Sequence, residues 1–75
     1  MPNLLVIDDD RTILALAEKA LAPIADVSVA ANAADGLGLL REGEFDAVLL
    51  DIQLPDQNGL AVYCEIREHD RRIPV

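Results

Sequence analysis

Tryptophan is absent, and Phe45 and Tyr63 are the only aromatic residues in a chain of 75. Stacking of bases on aromatic platforms therefore has little material here, and the core must be aliphatic. There is one cysteine, Cys64, so no intrachain disulfide is possible. A reducing compartment fits that usage, with Cys64 expected as a small buried hydrophobe. Positive charge is scarce: six Lys and Arg stand against fourteen Asp and Glu, a net charge of −8. Such a chain repels DNA phosphates and anionic membranes, so neither direct nucleic-acid binding nor membrane binding is expected. Met1-Pro2-Asn3 lacks a charged leader region, and no apolar run is long enough to span a bilayer. The resulting expectation is a cytoplasmic protein.

What the chain does have is 52% hydrophobic and 27% charged residues, a globular composition. Its length allows one small domain, which would bury roughly 60% of the surface its unfolded form exposes. The most informative stretch runs from Phe45 to Gly59. An apolar run, Ala47 to Leu50, has the length of a fully buried strand and stops on a carboxylate, Asp51. A loop with Pro55 and Gly59 follows. The stretch Asn3 to Ile7 has the same design and runs into Asp8-Asp9-Asp10. In an open parallel sheet, ligands bind beyond the carboxyl ends of the strands. If the two strands are parallel neighbours, Asp8, Asp9 and Asp51 meet at one rim.

The remaining chain alternates between two periods. Residues 3 to 7 read as a strand, with Asp10 as a helix N-cap. From Arg11 to Ala22, Ile13, Leu14, Ala17, Ala20 and Leu21 recur at helical spacing until Pro23 stops them. Ala25 to Ala30 reads as a second strand, short and β-branched, suited to an outer position. Asn32 is placed to cap a helix from Ala33 to about Arg41. Gly36 and Gly38 weaken that helix by about 1 kcal/mol each relative to Ala, and Gly43 ends it. After the third strand, Asn58 is placed to cap a helix from Gly59 or Leu60 to about Glu68, with Leu60, Val62, Tyr63 and Ile66 as its apolar face. Ile73-Pro74-Val75 looks like the opening of a fourth strand, where Pro74 is tolerated only at the start or on an edge. Asp56 is expected as an exposed turn residue, and His69, Arg71 and Arg72 as surface charges. A βαβαβα order predicts a parallel sheet with helices on both faces and right-handed crossovers.

The run Leu5-Val6-Ile7-Asp8-Asp9-Asp10, taken with Leu49-Leu50-Asp51-Ile52-Gln53-Leu54-Pro55 and Gly59, resembles the receiver domain of two-component response regulators. Two signatures of that family coincide: an acidic pair at the end of strand one, and D-x-x-x-P-x-x-x-G at the end of strand three. The resemblance covers Asn3 to Val75. It implies a flavodoxin-like αβα fold with a parallel sheet, here truncated, with strands 2-1-3 complete and strand 4 only begun. Residues 1–75 would then be a partial receiver, with an uncovered edge on strand three that invites a homodimer.

The resemblance further implies that Asp51 is the phosphoacceptor. Asp8 and Asp9 would hold Mg²⁺, and Gln53 would offer it a backbone carbonyl. The donor would be a sensor histidine kinase or a phosphotransfer protein. The consequence would be control of an output outside this chain, transcription regulation being one class. Such a module accepts a phosphoryl group rather than acting as an enzyme. The chemistry agrees: Mg²⁺ is usually held by one or two carboxylates plus phosphate, and a carboxylate is a competent nucleophile toward phosphorus. Crowded carboxylates without metal should raise one another's pKa values.

Two features depart from the family pattern. Family members carry a Ser or Thr after strand four and a Lys after strand five. Lys19, the only lysine here, lies in the first helix. A rival reading uses Val6-Ile7-Asp8-Asp9-Asp10-Arg11-Thr12, which also fits the hhhDxDxT pattern of haloacid-dehalogenase-like phosphatases. There Asp8 would be the nucleophile and Asp10 the general acid/base. A third reading is a non-catalytic interaction scaffold.

Overall fold

Five consecutive apolar or amide residues, Asn3 to Ile7, form the centre of the sheet, because both of their neighbours pair with them in parallel. The structure is a computed structural model that describes residues 1–51 and 54–75. In chain order it contains β1 (Asn3–Ile7), α1 (Arg11–Leu21), β2 (Asp26–Ala30), α2 (Ala33–Glu42), β3 (Ala47–Leu50) and α3 (Gly59–His69). The strands form one sheet in the order β2-β1-β3. The expected α/β architecture, strand order and outer place of β2 are all found.

The register explains which residues are buried. Leu5 stands beside Ser28 and Val48, and Ile7 beside Ala30 and Leu50. This face packs against α2 and α3, joining Leu5, Ile7 and Val48 with Leu37, Leu40, Val62 and Ile66 in one core cluster. On the opposite parity Val6 stands between Val29 and Leu49. Val6 and Leu14 are buried there, yet Leu49 is 50% exposed and Leu16 of α1 is 58% exposed. A strand buried on both faces reads as a continuous apolar run, which is why β1 is legible without alternation.

Each helix begins at the cap its sequence offers. The Asp10 carboxylate accepts from the N–H groups of Thr12 at 2.9 Å and Ile13 at 3.4 Å. Asn32 accepts from Asp35 N–H at 2.8 Å, and Asn58 from Leu60 N–H at 2.7 Å. Each satisfies a donor that the first helical turn leaves unpaired. At the other end of α1, Ala22 is the C-cap: its N–H still donates to the Glu18 carbonyl at 2.9 Å, one residue before Pro23. Gly43 is the C-cap of α2.

Three expectations need correction. Cys64 is exposed, not buried, because α3 buries only Gly59, Val62 and Ile66. A residue two positions from Val62 and Ile66 falls off that stripe. For the same reason Leu60, 67% exposed, lies outside the apolar face to which it was assigned. Ile73-Pro74-Val75 is not a strand. Ile73 is nonetheless buried in the core, and the Pro74 carbonyl accepts from Val48 N–H at 2.8 Å. The tail thus covers part of the β3 edge that was expected to stand open.

Candidate functional site

The site is assembled by backbone bonds at two adjacent strand ends. Beyond β1, Asp8 N–H donates to the Ala30 carbonyl at 3.0 Å, continuing the pairing with β2. Its carboxylate accepts from Asp10 N–H at 2.9 Å, which fixes the turn carrying Asp9. Beyond β3, Asp51 N–H donates to the Ile7 carbonyl at 2.8 Å. As a result one carboxylate oxygen from each of Asp8, Asp9 and Asp51 lies within 4.8 Å of the others. Asp8 and Asp51 are half-buried and Asp9 is exposed.

Asp9 bears the electrostatic cost of this arrangement. Desolvation raises its pKa above the ordinary Asp range, and a side-chain hydrogen bond with Asp51 raises it further. The negative charges of Asp51 and Asp8 act in the same direction. This agrees with the expectation that crowded carboxylates disfavour one another's ionised forms. The donor set is all oxygen and anionic, which suits a hard divalent cation that keeps part of its water shell. Val6, Ile13, Ala17, Leu49 and Leu50 line an apolar groove reaching Asp8 and Asp51.

Asp10 does not join this cluster; its carboxylate is turned to the α1 N-terminus. Gln53 lies outside the described residues. Pro55 is exposed, and Gly59 opens α3. Asp56 has a partner that sequence reasoning missed. Although exposed, its two carboxylate oxygens accept from Ala33 N–H at 2.8 Å and Ala34 N–H at 3.0 Å. Those bonds hold its pKa below the ordinary range, that to Ala33 most strongly. No local pattern marks the bond to Ala33, which spans 23 positions of sequence.

An open parallel sheet with carboxylates converging beyond two adjacent strands defines an α/β protein whose candidate ligand site is at the carboxyl rim. More specifically, the chain belongs to the response regulator receiver domain family, whose pattern residues 4–75 match. It is 42% identical over 72 residues to the transcriptional regulatory protein AfsQ1 of Streptomyces coelicolor. That alignment covers 95% of this chain and 32% of AfsQ1, so the chain spans about a third of that relative. Among solved structures, the response regulator TrrA of Thermotoga maritima in complex with Mg²⁺-BeF superposes with a TM-score of 0.88 at 33% identity. The match covers 95% of this chain and 63% of TrrA. TrrA in complex with the histidine kinase ThkA gives a TM-score of 0.89 at 32% identity, covering 97% of this chain and 64% of that one. Membership of this family, together with the capping role of Asp10, removes the phosphatase reading.

Proposed function

We propose that Asp51 accepts a phosphoryl group from the phosphohistidine of a sensor histidine kinase or a phosphotransfer protein, and that this acceptance controls an output outside the chain. The observation that carries the reading is the convergence of Asp8, Asp9 and Asp51 within 4.8 Å at the ends of two parallel strands. The TrrA structures, one with Mg²⁺-BeF and one with a histidine kinase, supply the analogy for cation and partner. Asp8, Asp9, Asp51 and the backbone carbonyl of Gln53 would hold Mg²⁺. When bound, the cation supplies positive charge that offsets the carboxylates and the incoming phosphoryl oxygens.

The protein's own part is positioning. A carboxylate oxygen of Asp51 forms the new O–P bond as the N–P bond of the donor breaks, and the imidazole leaves with that electron pair. The Asp51 backbone is held on Ile7, so the nucleophile is fixed relative to Asp8 and Asp9 before the donor arrives. Asp8 is oriented by Asp10 N–H. The chain accepts a phosphoryl group and does not turn over an external substrate. No helix among the described residues is long and apolar enough to cross a membrane, and we place this reaction in the cytoplasm.

The test is intact mass after incubation with Mg²⁺ and acetyl phosphate, with the modified residue located by peptide mapping. One phosphoryl adduct on Asp51, lost on chelation of Mg²⁺ and in Asp51→Asn, is expected. An adduct on Asp8, or none on the folded chain, overturns the reading.

A further inference from the structure

We propose that Asp56 is a positioning residue for the acceptor: its carboxylate latches the loop after β3 onto the N-terminus of α2, five positions beyond Asp51. The inference rests on the phosphoacceptor reading and extends it to a residue outside the carboxylate cluster.

Helix α2 opens with N–H donors that need partners from outside the helix, because the first N–H groups of a helix have no partner within it. Asn32, the local cap, takes Asp35 N–H with its side chain, and its carbonyl takes Gly36 N–H at 3.1 Å. That leaves the N–H groups of Ala33 and Ala34. Asp56 takes both, one with each carboxylate oxygen, at 2.8 and 3.0 Å. Ala33 is fully buried, so solvent is a poor substitute at that position. The charge has the right sign for a helix N-terminus, and the two N–H bonds hold the Asp56 carboxyl below the ordinary Asp range. Helix α2 already has a local cap, so the second, remote one chiefly joins two segments distant in sequence.

What it joins is the acceptor loop. At the start of that loop Asp51 N–H is fixed on Ile7 of β1. At Asp56 the chain is fixed again, now on α2. Asp51 and Asp56, five positions apart, are thus each fixed to a different element of the fold. Releasing the far pin leaves β1, β3 and the backbone bonds of Asp8 and Asp51 in place but removes the fixed point at Asp56. A reactive group whose surroundings shift by a fraction of an ångström loses rate without losing its fold.

The test compares three variants of the full chain with wild type in Mg²⁺ and acetyl phosphate. Asp56→Ala removes both bonds and should slow phosphoryl uptake about tenfold. Asp56→Asn keeps one carbonyl oxygen and should fall between. Asn32→Ala removes the local cap of the same helix without releasing the loop; it lowers thermal stability but should leave uptake near wild type. Backbone NMR shifts at Asp51 should move in Asp56→Ala and stay in place in Asn32→Ala, a readout that needs no phosphoryl transfer. Unchanged uptake and unchanged Asp51 shifts in Asp56→Ala overturn the latch while leaving the acceptor intact. Equal slowing in Asn32→Ala also overturns it, by reducing Asp56 to general helix stability. If wild type takes up no phosphoryl group, the acceptor reading fails, and the proposed effect on uptake fails with it; the Asp51 shifts then still report whether the loop is latched.

Discussion

Gly36 of α2 leaves its missing side chain to Ile7 of β1: a Cβ there would lie 2.5 Å from Ile7 Cδ1 and 2.8 Å from Cγ1. The helix approaches the central strand so closely because nothing projects between them. Ile7 is itself fully buried in the core cluster, so its shift would disturb packed neighbours. Gly38, two residues on, has nothing within 4 Å of the equivalent position. The two glycines cost the helix the same propensity but stand in opposite packing situations. Gly36→Ala is expected to destabilise by about 1–2 kcal/mol, overpacking exceeding the gain in propensity. Gly38→Ala is expected to stabilise by about 0.5–1 kcal/mol. Urea unfolding of both variants checks the pair, and the same sign for both would contradict this account.

The raised pKa of Asp9 makes the metal-free fold sensitive to pH in a defined direction. A carboxyl group whose folded pKa exceeds its unfolded value binds more protons when folded. Its contribution to stability therefore falls as pH rises between the two values, starting from an unfolded Asp value of about 4. Asp9→Asn should raise the Tm of the metal-free chain at neutral pH, and the gain should shrink as pH is lowered through the acid range. Mg²⁺ is expected to raise the Tm of wild type, and the same variant should lose most of that increase. Thermal melts in chelator and in Mg²⁺ across pH measure both. Asp56 acts with the opposite sign: its depressed pKa gives stability above the ordinary Asp value that is lost as pH falls below it.

Arg67 holds the tail in place. Its guanidinium lies 5.0 Å from the centroid of the Tyr63 ring, and Nε donates to the Tyr63 hydroxyl at 3.0 Å. Nη1 donates to the carbonyls of Arg71, at 3.3 Å, and of Ile73. These contacts fold the chain after α3 back, so that Ile73 enters the core and Pro74 reaches Val48. Arg67→Ala should cost about 1 kcal/mol, a modest figure because most of these bonds are exposed. It should also speed hydrogen exchange at Val48 N–H several-fold. Arg67→Lys should not restore protection, since an ammonium cannot reproduce the planar fork. Amide exchange by NMR decides the matter.

Much of this was legible in the sequence wherever a local rule governs. The caps Asp10, Asn32 and Asn58, the stop at Pro23 and the two strand-end carboxylates all follow from residue type at a given position. The meeting of Asp8, Asp9 and Asp51 required only that β1 and β3 be neighbours, which the βαβ alternation suggests. The contact of Asp56 with α2 was not legible, because the bonding partner is a backbone N–H that any residue would supply. Exposure of Cys64 and Leu60 was missed for a related reason. The width of the buried stripe of α3 depends on how α2 lies against it, and apolar residue type alone does not encode that. The difference between Gly36 and Gly38 belongs to the same class, set by helix-to-strand distance.

The central strand β1 is synthesised before both strands that flank it in the sheet. Leu5 and Ile7 are fully buried, and their companions on either side come later, the contact between Asn3 and Asp46 closing a span of 43 positions. A nascent chain halted before Ala47 carries this apolar strand paired at best with β2 and open along the side meant for β3. For this topology, protection of β1 during translation falls to whatever attends the ribosome exit until β3 emerges.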